Sequence, residues 1–127
     1  MDETGFQAFA HEWIEAWNSH DLDRVLSHYS DDVALTSPFI EKVLGVGQGS
    51  IRGKAALREY WAKALHKYVD LRFDLFRVYG GCNSLVLHYR SVAGFIGSEF
   101  MRFDALGKVC EVHAHYAPEL SREPLGD

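Results

Sequence analysis

The sequence lacks a long apolar segment and an excess of positive charge. Its longest stretch without a charged residue or histidine spans about ten residues, well short of the roughly 18 apolar residues that predict a membrane-spanning helix. Lysine and arginine number 13 against 18 aspartate and glutamate, which gives a net charge of -5. Such a chain offers no basic surface to neutralise a phosphate backbone. We therefore expect neither a membrane nor a nucleic acid as a partner.

Cysteine is scarce as well. The two cysteines, Cys82 and Cys110, have neither the spacing of a zinc site nor the density of a disulfide-stapled domain. We expect both to be reduced and buried. The amino-terminal MDETGF is acidic, whereas a secretory signal begins with positive charge. These features favour a cytoplasmic protein.

Glycine, in contrast, is concentrated in GVGQGSIRGKAALREYW, residues 45 to 61. Glycines followed by a lysine and a helical pattern are the order of parts in a phosphate-binding loop. A Walker-type loop, however, requires glycine, four residues and then Gly-Lys-Ser/Thr. Gln48 stands where the first glycine is needed, and Ala55 stands where the hydroxyl is needed. The spacing argues against a nucleotide site, and we expect no cofactor.

Helical periodicity dominates the first half of the chain. Apolar residues recur every three or four positions around residues 6–17, 22–29 and 56–68, which predicts three helices. Thr4 and Gln7 fit a capping box at the start of the first helix. Between the second and third helices, residues 33–37 alternate like a short strand that Pro38 ends.

From Asp70 onwards the apolar residues alternate with a period of two. Four strands follow in a meander, in which Leu85, Leu87 and Tyr89 share one face, and the segment DALGK closes the last hairpin. At 127 residues the chain suits a single domain. The pattern predicts one α+β domain with three helices, one short strand and four long strands, followed by a polar tail over residues 118–127.

Several short motifs carry a family resemblance. WNSHDLD, YSDDV, IRGKAALREYW and RFDALGKV occur in this order, and over residues 4–117 the chain resembles the nuclear transport factor 2-like superfamily. Within it, the chain is most similar to SnoaL-like polyketide cyclases and ketosteroid isomerases. The resemblance implies a cone-shaped α+β barrel, in which a strongly bent antiparallel sheet wraps around three N-terminal helices and an apolar pocket. It also implies that the glycine-rich segment is a flexible loop at the mouth of the cone.

The resemblance implies positions for the catalytic groups. The isomerase pattern requires a tyrosine on the first helix, an aspartate base after the first strand and an acid on the third strand of the meander. These positions hold Trp13, Ser37 and Glu99. A serine hydroxyl cannot shuttle a proton near neutral pH, and an indole only donates a hydrogen bond. Steroid isomerisation by that mechanism is therefore doubtful, and Glu99 remains the candidate catalytic residue.

Burial should raise the pKa of Glu99 above its ordinary value near 4.3. We expect Trp13 to act as a second hydrogen-bond donor beside it. The sequence identifies no second titratable group, for which His28, Tyr29 and Tyr116 are the candidates. The candidate ligand-binding residues are Trp13, Trp17, Tyr29, Ser37, Tyr60, Trp61, Met101 and Tyr116. Simple core packing is the alternative interpretation for Trp17 and Trp61.

Three histidines are expected on the outer face of the sheet. His113 and His115 share that face with Glu111, and His88 lines the same face together with Arg90. In the superfamily this face often packs against a second copy, so we expect a homodimer. A metal site formed by the same side chains is the alternative, and the sequence does not decide the role of these histidines.

Two functional hypotheses from different classes remain open. The first is an enzyme that performs isomerase, cyclase or hydrolase-type acid–base chemistry on a small, mostly apolar molecule, with Glu99 as the acid or base. The second is a non-catalytic domain that binds a small molecule or another protein. A lone carboxyl in the pocket would favour binding, whereas a carboxyl paired with a second titratable group would favour catalysis.

Overall fold

The computed structural model describes residues 1–45, 47 and 49–118. Its elements in chain order are α1 (Glu3–Asn18), α2 (Leu22–Leu26), β1 (Tyr29–Thr36), α3 (Phe39–Leu44), β2 (Ser50–Arg52), α4 (Lys54–Lys67), β3 (Asp74–Gly80), β4 (Ser84–Arg90), β5 (Ile96–Phe103) and β6 (Val109–Tyr116). A turn of 3₁₀ helix over Val92–Gly94 joins β4 to β5. Apart from Pro118, the expected polar tail lies outside the described residues. No helix in this described part is long and apolar enough to cross a membrane.

The six strands form one curved sheet in the order β2-β1-β6-β5-β4-β3. The sheet is not closed, because β2 and β3 are its two edges, so the expected barrel is an open cone. β1 and β6 run parallel and the other neighbours run antiparallel. The prediction of a wholly antiparallel sheet is therefore wrong at this pair. Strand direction depends on which strand β6 meets after the meander, and a period of two does not encode that.

Irregular register bends the sheet around the helices. The pairing shifts within β1·β6, β3·β4 and β5·β6, and each such irregularity increases local twist and bend. The predicted α+β architecture with a bent sheet wrapped around helices is confirmed.

Two elements lie where the sequence analysis predicted a loop. Pro38 follows β1 as expected, but it also starts α3, because its fixed φ of -62° already suits a helix. Gly45 ends α3 with a left-handed φ of 71°. The three-residue strand β2 then pairs with β1. A six-residue helix and a three-residue strand are too short for periodicity to reveal.

Smaller boundary predictions also need correction. The α1 helix is capped by Asp2, which accepts a hydrogen bond from the Gly5 amide at 2.9 Å, and not by a capping box at Thr4. Tyr29 begins β1, although its spacing had placed it on the second helix. The first strand of the meander, β3, begins at Asp74 and not at Asp70. The expectation of two buried cysteines is wrong, because Cys82 is exposed in the turn after β3 and Cys110 on β6 is only partly buried.

The alternation of the meander decides what faces the helices. On β4 the side chains of Leu85, Leu87 and Tyr89 are buried, and on β5 those of Glu99 and Met101 are buried. Within the described residues, Glu99 is the one charged side chain of the buried interior, at 5% exposure. The sheet thus carries a single carboxyl into a core of aliphatic and aromatic groups.

Candidate functional site

A hollow lies between the helices and the inner face of the sheet. Its cavity volume is about 60 Å³. A cavity of this volume has room for a few waters, so a larger ligand would need to extend into the open mouth or move side chains. Nine aromatic side chains line the hollow: Trp13, Trp17, Phe39, Tyr60, Trp61, Tyr68, Phe73, Tyr89 and Tyr116. Ser37, Ser91 and Glu99 supply its polar groups.

The structure brings most of the predicted site residues to this hollow. Trp13, Trp17, Ser37, Tyr60, Trp61, Glu99 and Tyr116 line it. Tyr29 and Met101 do not, although both are fully buried. Tyr29 accepts a hydrogen bond from Trp13, and Met101 is the next inward position after Glu99 on β5. Their predicted contact with a ligand therefore requires a rearrangement, whereas the other seven already face the space.

Glu99 is held by one strong partner. The Tyr89 hydroxyl donates a hydrogen bond to its Oε1 at 2.7 Å, and both side chains are buried. Burial raises the pKa of Glu99 from 4.5 to about 7, while the hydrogen bond from Tyr89 partly opposes this rise by favouring the carboxylate. This rise of the Glu99 pKa is the direction expected from the apolar sequence around Glu99. Near neutral pH, both the acid and the carboxylate are populated.

Among the described residues, neither Arg90 nor Arg102 turns towards Glu99. Arg102 points outwards and donates to Glu111 at 2.8 Å. The Arg90 guanidinium lies over the Phe76 ring, 5.5 Å from its centroid. Because neither cation turns inwards, the positive charge that would lower the pKa of Glu99 is kept on the far side of the sheet.

The tyrosines of the interior keep their protons. Burial is the main cause that raises the pKa of Tyr29, Tyr60 and Tyr89, and the nearby Glu99 charge adds to it. Burial likewise raises the pKa of Tyr116 to about 12. At neutral pH these phenols are therefore hydrogen-bond donors, and Glu99 is the group of this set whose proton can be exchanged.

The two tryptophans on α1 have different hydrogen-bonding states. Trp13 Nε1 donates to the Tyr29 hydroxyl at 2.8 Å, so the expected role of Trp13 as a free second donor beside Glu99 is not what the structure contains. Trp13 instead supplies an apolar wall, stacked on Phe73 with ring centroids 5.5 Å apart. Trp17 Nε1 is buried and has no hydrogen-bond partner among the residues described.

Ser37 begins the turn that places α3 at the hollow. Its hydroxyl accepts a hydrogen bond from the Phe39 amide at 3.1 Å. The same hydroxyl also interacts with Tyr60 and Tyr116, and each interaction opposes the effect of burial on the pKa of that tyrosine. Ser37 thus belongs to a polar group with two phenols, although it cannot itself replace a carboxylate base.

Sequence analysis missed several residues of the site. The most important is Tyr89, whose inward position was predicted but whose contact with Glu99 was not. In the sheet, Leu87 is the direct partner of Glu99, and Tyr89 reaches the carboxyl from the next inward position. The inward alternation of Tyr89 and Glu99 on consecutive strands was the available signal. Tyr68 was predicted on the buried stripe of the last helix but not as a site residue, and Ser91 lies outside the regular elements, so no periodicity pointed to it.

The outer-face histidines take part in a local polar network. His113 bonds to Glu111 at 2.7 Å through one ring nitrogen and to the Thr36 hydroxyl at 2.7 Å through the other. His113 and Arg102 together lower the pKa of Glu111. His115 is exposed. In the part of the chain that the structure describes, no three His, Cys, Asp or Glu side chains are arranged to hold a metal ion.

Sequence and structure comparisons assign the family. Residues 10–117 match the model of the SnoaL-like domain. The chain belongs to the SnoaL-like domain family. A SnoaL-like protein of unknown function from Burkholderia thailandensis is 39% identical, with a TM-score of 0.87, over 91% of this chain and 97% of that chain. No curated protein matches the sequence.

More distant structures share the fold of this SnoaL-like chain. An NTF2-like protein of unknown function from Cytophaga hutchinsonii has a TM-score of 0.68 at 14% identity, over 89% of this chain and 90% of that chain. SalBIII, an epoxide hydrolase/cyclase-like enzyme with a role in pyran ring formation in the polyether salinomycin, has a TM-score of 0.72 at 15% identity. That match covers 92% of this chain and 94% of SalBIII. These likenesses support the predicted nuclear transport factor 2-like fold.

Proposed function

We propose that this SnoaL-like protein binds a small, mostly apolar molecule in the aromatic hollow and performs acid–base chemistry on it through Glu99. The observation that carries the proposal is a single buried carboxyl, with a pKa of about 7, that lines the hollow and accepts a hydrogen bond from Tyr89. A general acid or base works best when its pKa is close to the working pH.

The pairing of Glu99 with Tyr89 favours catalysis over simple binding. In its protonated form, Glu99 can donate a proton to an oxygen atom of the ligand. The resulting carboxylate is stabilised by the Tyr89 hydroxyl, and it can accept a proton from a carbon or from water to complete the cycle. The partners of this reaction are the ligand and, for hydrolysis, water. Isomerase, cyclase and hydrolase-type reactions all use such a step.

The relatives support the class of chemistry without defining the substrate. SalBIII is an epoxide hydrolase/cyclase-like enzyme, and reactions of that kind need a proton delivered to an oxygen. At 15% identity the likeness carries the fold alone. The proposal therefore depends on Glu99 and on the aromatic lining of this chain.

The test combines a titration with a search for the ligand. Carbon-13 NMR of glutamate-labelled protein, with Glu99 assigned through Glu99→Gln, should give a midpoint near 7. Native mass spectrometry should reveal a co-purified small molecule, which Glu99→Gln binds but does not convert. Glu59→Gln, which changes an exposed carboxyl on α4, is the matched control and should behave like the wild type. A midpoint at or below 4.5, together with unchanged conversion in Glu99→Gln, would reduce Glu99 to a structural residue.

We further propose that two copies pair through the outer face of β4, β5 and β6. Val86 and Phe100 are direct neighbours on that face, half-buried among polar side chains, and interfaces commonly mix polar and apolar area in this way. Sedimentation at micromolar concentration should give the mass of a dimer, and Phe100→Glu should shift it to the monomer. A wild-type monomer at that concentration would contradict the pairing.

A further inference from the structure

The hollow contains two phenols whose hydroxyls the folded chain leaves free to donate. Tyr60 on α4 and Tyr116 at the end of β6 both line it. Among the described residues, neither hydroxyl takes part in a hydrogen bond of good geometry, whereas those of Tyr29 and Tyr89 each do, at 2.8 Å and 2.7 Å. Burial raises the pKa of Tyr60 and Tyr116, so both keep their protons at neutral pH.

Ser37 brings these two hydroxyls to one place. Its side chain interacts with both Tyr60 and Tyr116. A serine oxygen accepts at most two hydrogen bonds, and the Phe39 amide already uses one of these positions at 3.1 Å. The two phenols therefore compete for the one that is left. Because both approach the same oxygen atom, their hydroxyls are close enough together to hold a single atom of a ligand.

The lining of the hollow has more donors than acceptors. Trp17 also lines it, at 4% exposure, and its Nε1 has no partner among the residues described; an indole only donates. The charge of Glu99 contributes to the raised pKa of both Tyr60 and Tyr116, so their hydroxyls lie near the carboxyl. Buried polar groups are normally paired. A ligand oxygen that has lone pairs but no proton would satisfy these donors beside Glu99.

We propose that Tyr60 and Tyr116 bind a carbonyl oxygen, and that the ligand is an apolar carbonyl compound such as a ketone. This inference rests on the proposed function of the hollow and adds the chemical class of the ligand. A carbonyl oxygen carries two lone pairs and no hydrogen, so it accepts a hydrogen bond from each phenol. Neither tyrosine stands at a position of the isomerase pattern, which falls on Trp13, Ser37 and Glu99. The two phenols determine specificity and orient the carbonyl towards Glu99.

The experiment uses two probes of the same shape, acetophenone and α-methylstyrene, of which only acetophenone has an acceptor oxygen. Each is titrated at pH 7.5, up to its solubility limit, into nitrogen-15-labelled wild-type protein, Tyr60→Phe and Tyr116→Phe, and followed by amide chemical shifts. We expect each variant to bind acetophenone about three- to tenfold more weakly, the range of one neutral hydrogen bond. The affinity for α-methylstyrene should stay unchanged.

A second measurement follows the hydrogen bonds themselves. Acetophenone labelled with carbon-13 at its carbonyl gives a signal that moves downfield as the oxygen accepts hydrogen bonds. At saturation, this signal should lie further downfield in the wild type than in Tyr60→Phe or Tyr116→Phe. Tyr79→Phe changes a tyrosine on β3 that is 50% exposed. It is the matched control and should behave like the wild type in both measurements.

Each other outcome contradicts the proposal in its own way. Equal affinity for acetophenone and an unchanged carbonyl signal in all four proteins would overturn the carbonyl site and leave the hollow as a binding site. An equal loss of affinity for both probes would show that the two tyrosines shape the hollow without donating to the ligand. If neither probe shifts any amide signal, the carbonyl ligand and the apolar site both fail.

Discussion

The sharpest prediction concerns the pH dependence of stability that Glu99 imposes. Its pKa is about 7 in the folded protein, against an ordinary value of 4.5. The folded state therefore holds the proton more strongly than the unfolded chain does. A raised carboxyl pKa makes the free energy of unfolding fall as pH rises from about 4.5 to about 7, and it has no further effect above that range.

The size of this effect follows from the two pKa values. Each tenfold change in proton affinity corresponds to about 1.36 kcal/mol, so the whole difference is about 3 kcal/mol. Between pH 5 and pH 8, the ionisation of Glu99 should lower the free energy of unfolding by about 2–3 kcal/mol. Other groups titrate in the same range, so the wild-type curve alone does not isolate Glu99.

Glu99→Gln isolates the contribution. Glutamine has nearly the same shape, stays neutral, and keeps an oxygen that can accept the hydrogen bond from Tyr89. Urea unfolding, followed by tryptophan fluorescence at pH 5, 6, 7 and 8, gives the free energy of unfolding of both proteins. The variant should gain about 2–3 kcal/mol relative to the wild type between the two ends of this range.

Glu59→Gln serves as the control, because Glu59 is 71% exposed on α4. Its difference from the wild type should not change with pH. If the difference between Glu99→Gln and the wild type is also constant from pH 5 to pH 8, Glu99 is ionised throughout, and the reasoning from burial is refuted.

Three further variants test other parts of the structure. Tyr89→Phe removes the hydrogen bond that favours the carboxylate, so the NMR midpoint of the buried glutamate should rise above the wild-type value; an unchanged midpoint would show that the bond does not tune it. Gly80→Ala would drive a methyl group into the Phe6 ring and should cost about 1–3 kcal/mol in urea unfolding, a cost that Phe6→Leu in the same chain should reduce. Equal costs in both backgrounds would rule out the clash. Asn18→Ala removes two hydrogen bonds between its side-chain amide and the Phe73 backbone and should cost about 2 kcal/mol, whereas Asn18→Asp, which keeps the acceptor, should cost less.

Much of the fold could be predicted from the sequence because apolar residues recur at regular, local intervals. The apolar stripe of α1 and α4 and the alternation of β4, β5 and β6 predicted which side chains face inwards, and the buried positions of Leu85, Leu87 and Met101 agree. The elements that escaped prediction, α3 and β2, have six and three residues. Their positions depend on pairing with β1 and on packing at the mouth of the hollow, which no local pattern records.

The sequence by itself determined the fold class, the family and the inward direction of Glu99. All three follow from local periodicity and from motifs that lie close together in the chain. The tertiary structure alone decided which groups meet. Tyr89 reaches Glu99 through the register of two strands, and Trp13 donates its N–H to Tyr29 across 16 positions of the chain. The register of the strands and the contacts between distant residues arise when distant segments pack around one core. They become fixed only when the whole sheet packs over its helices.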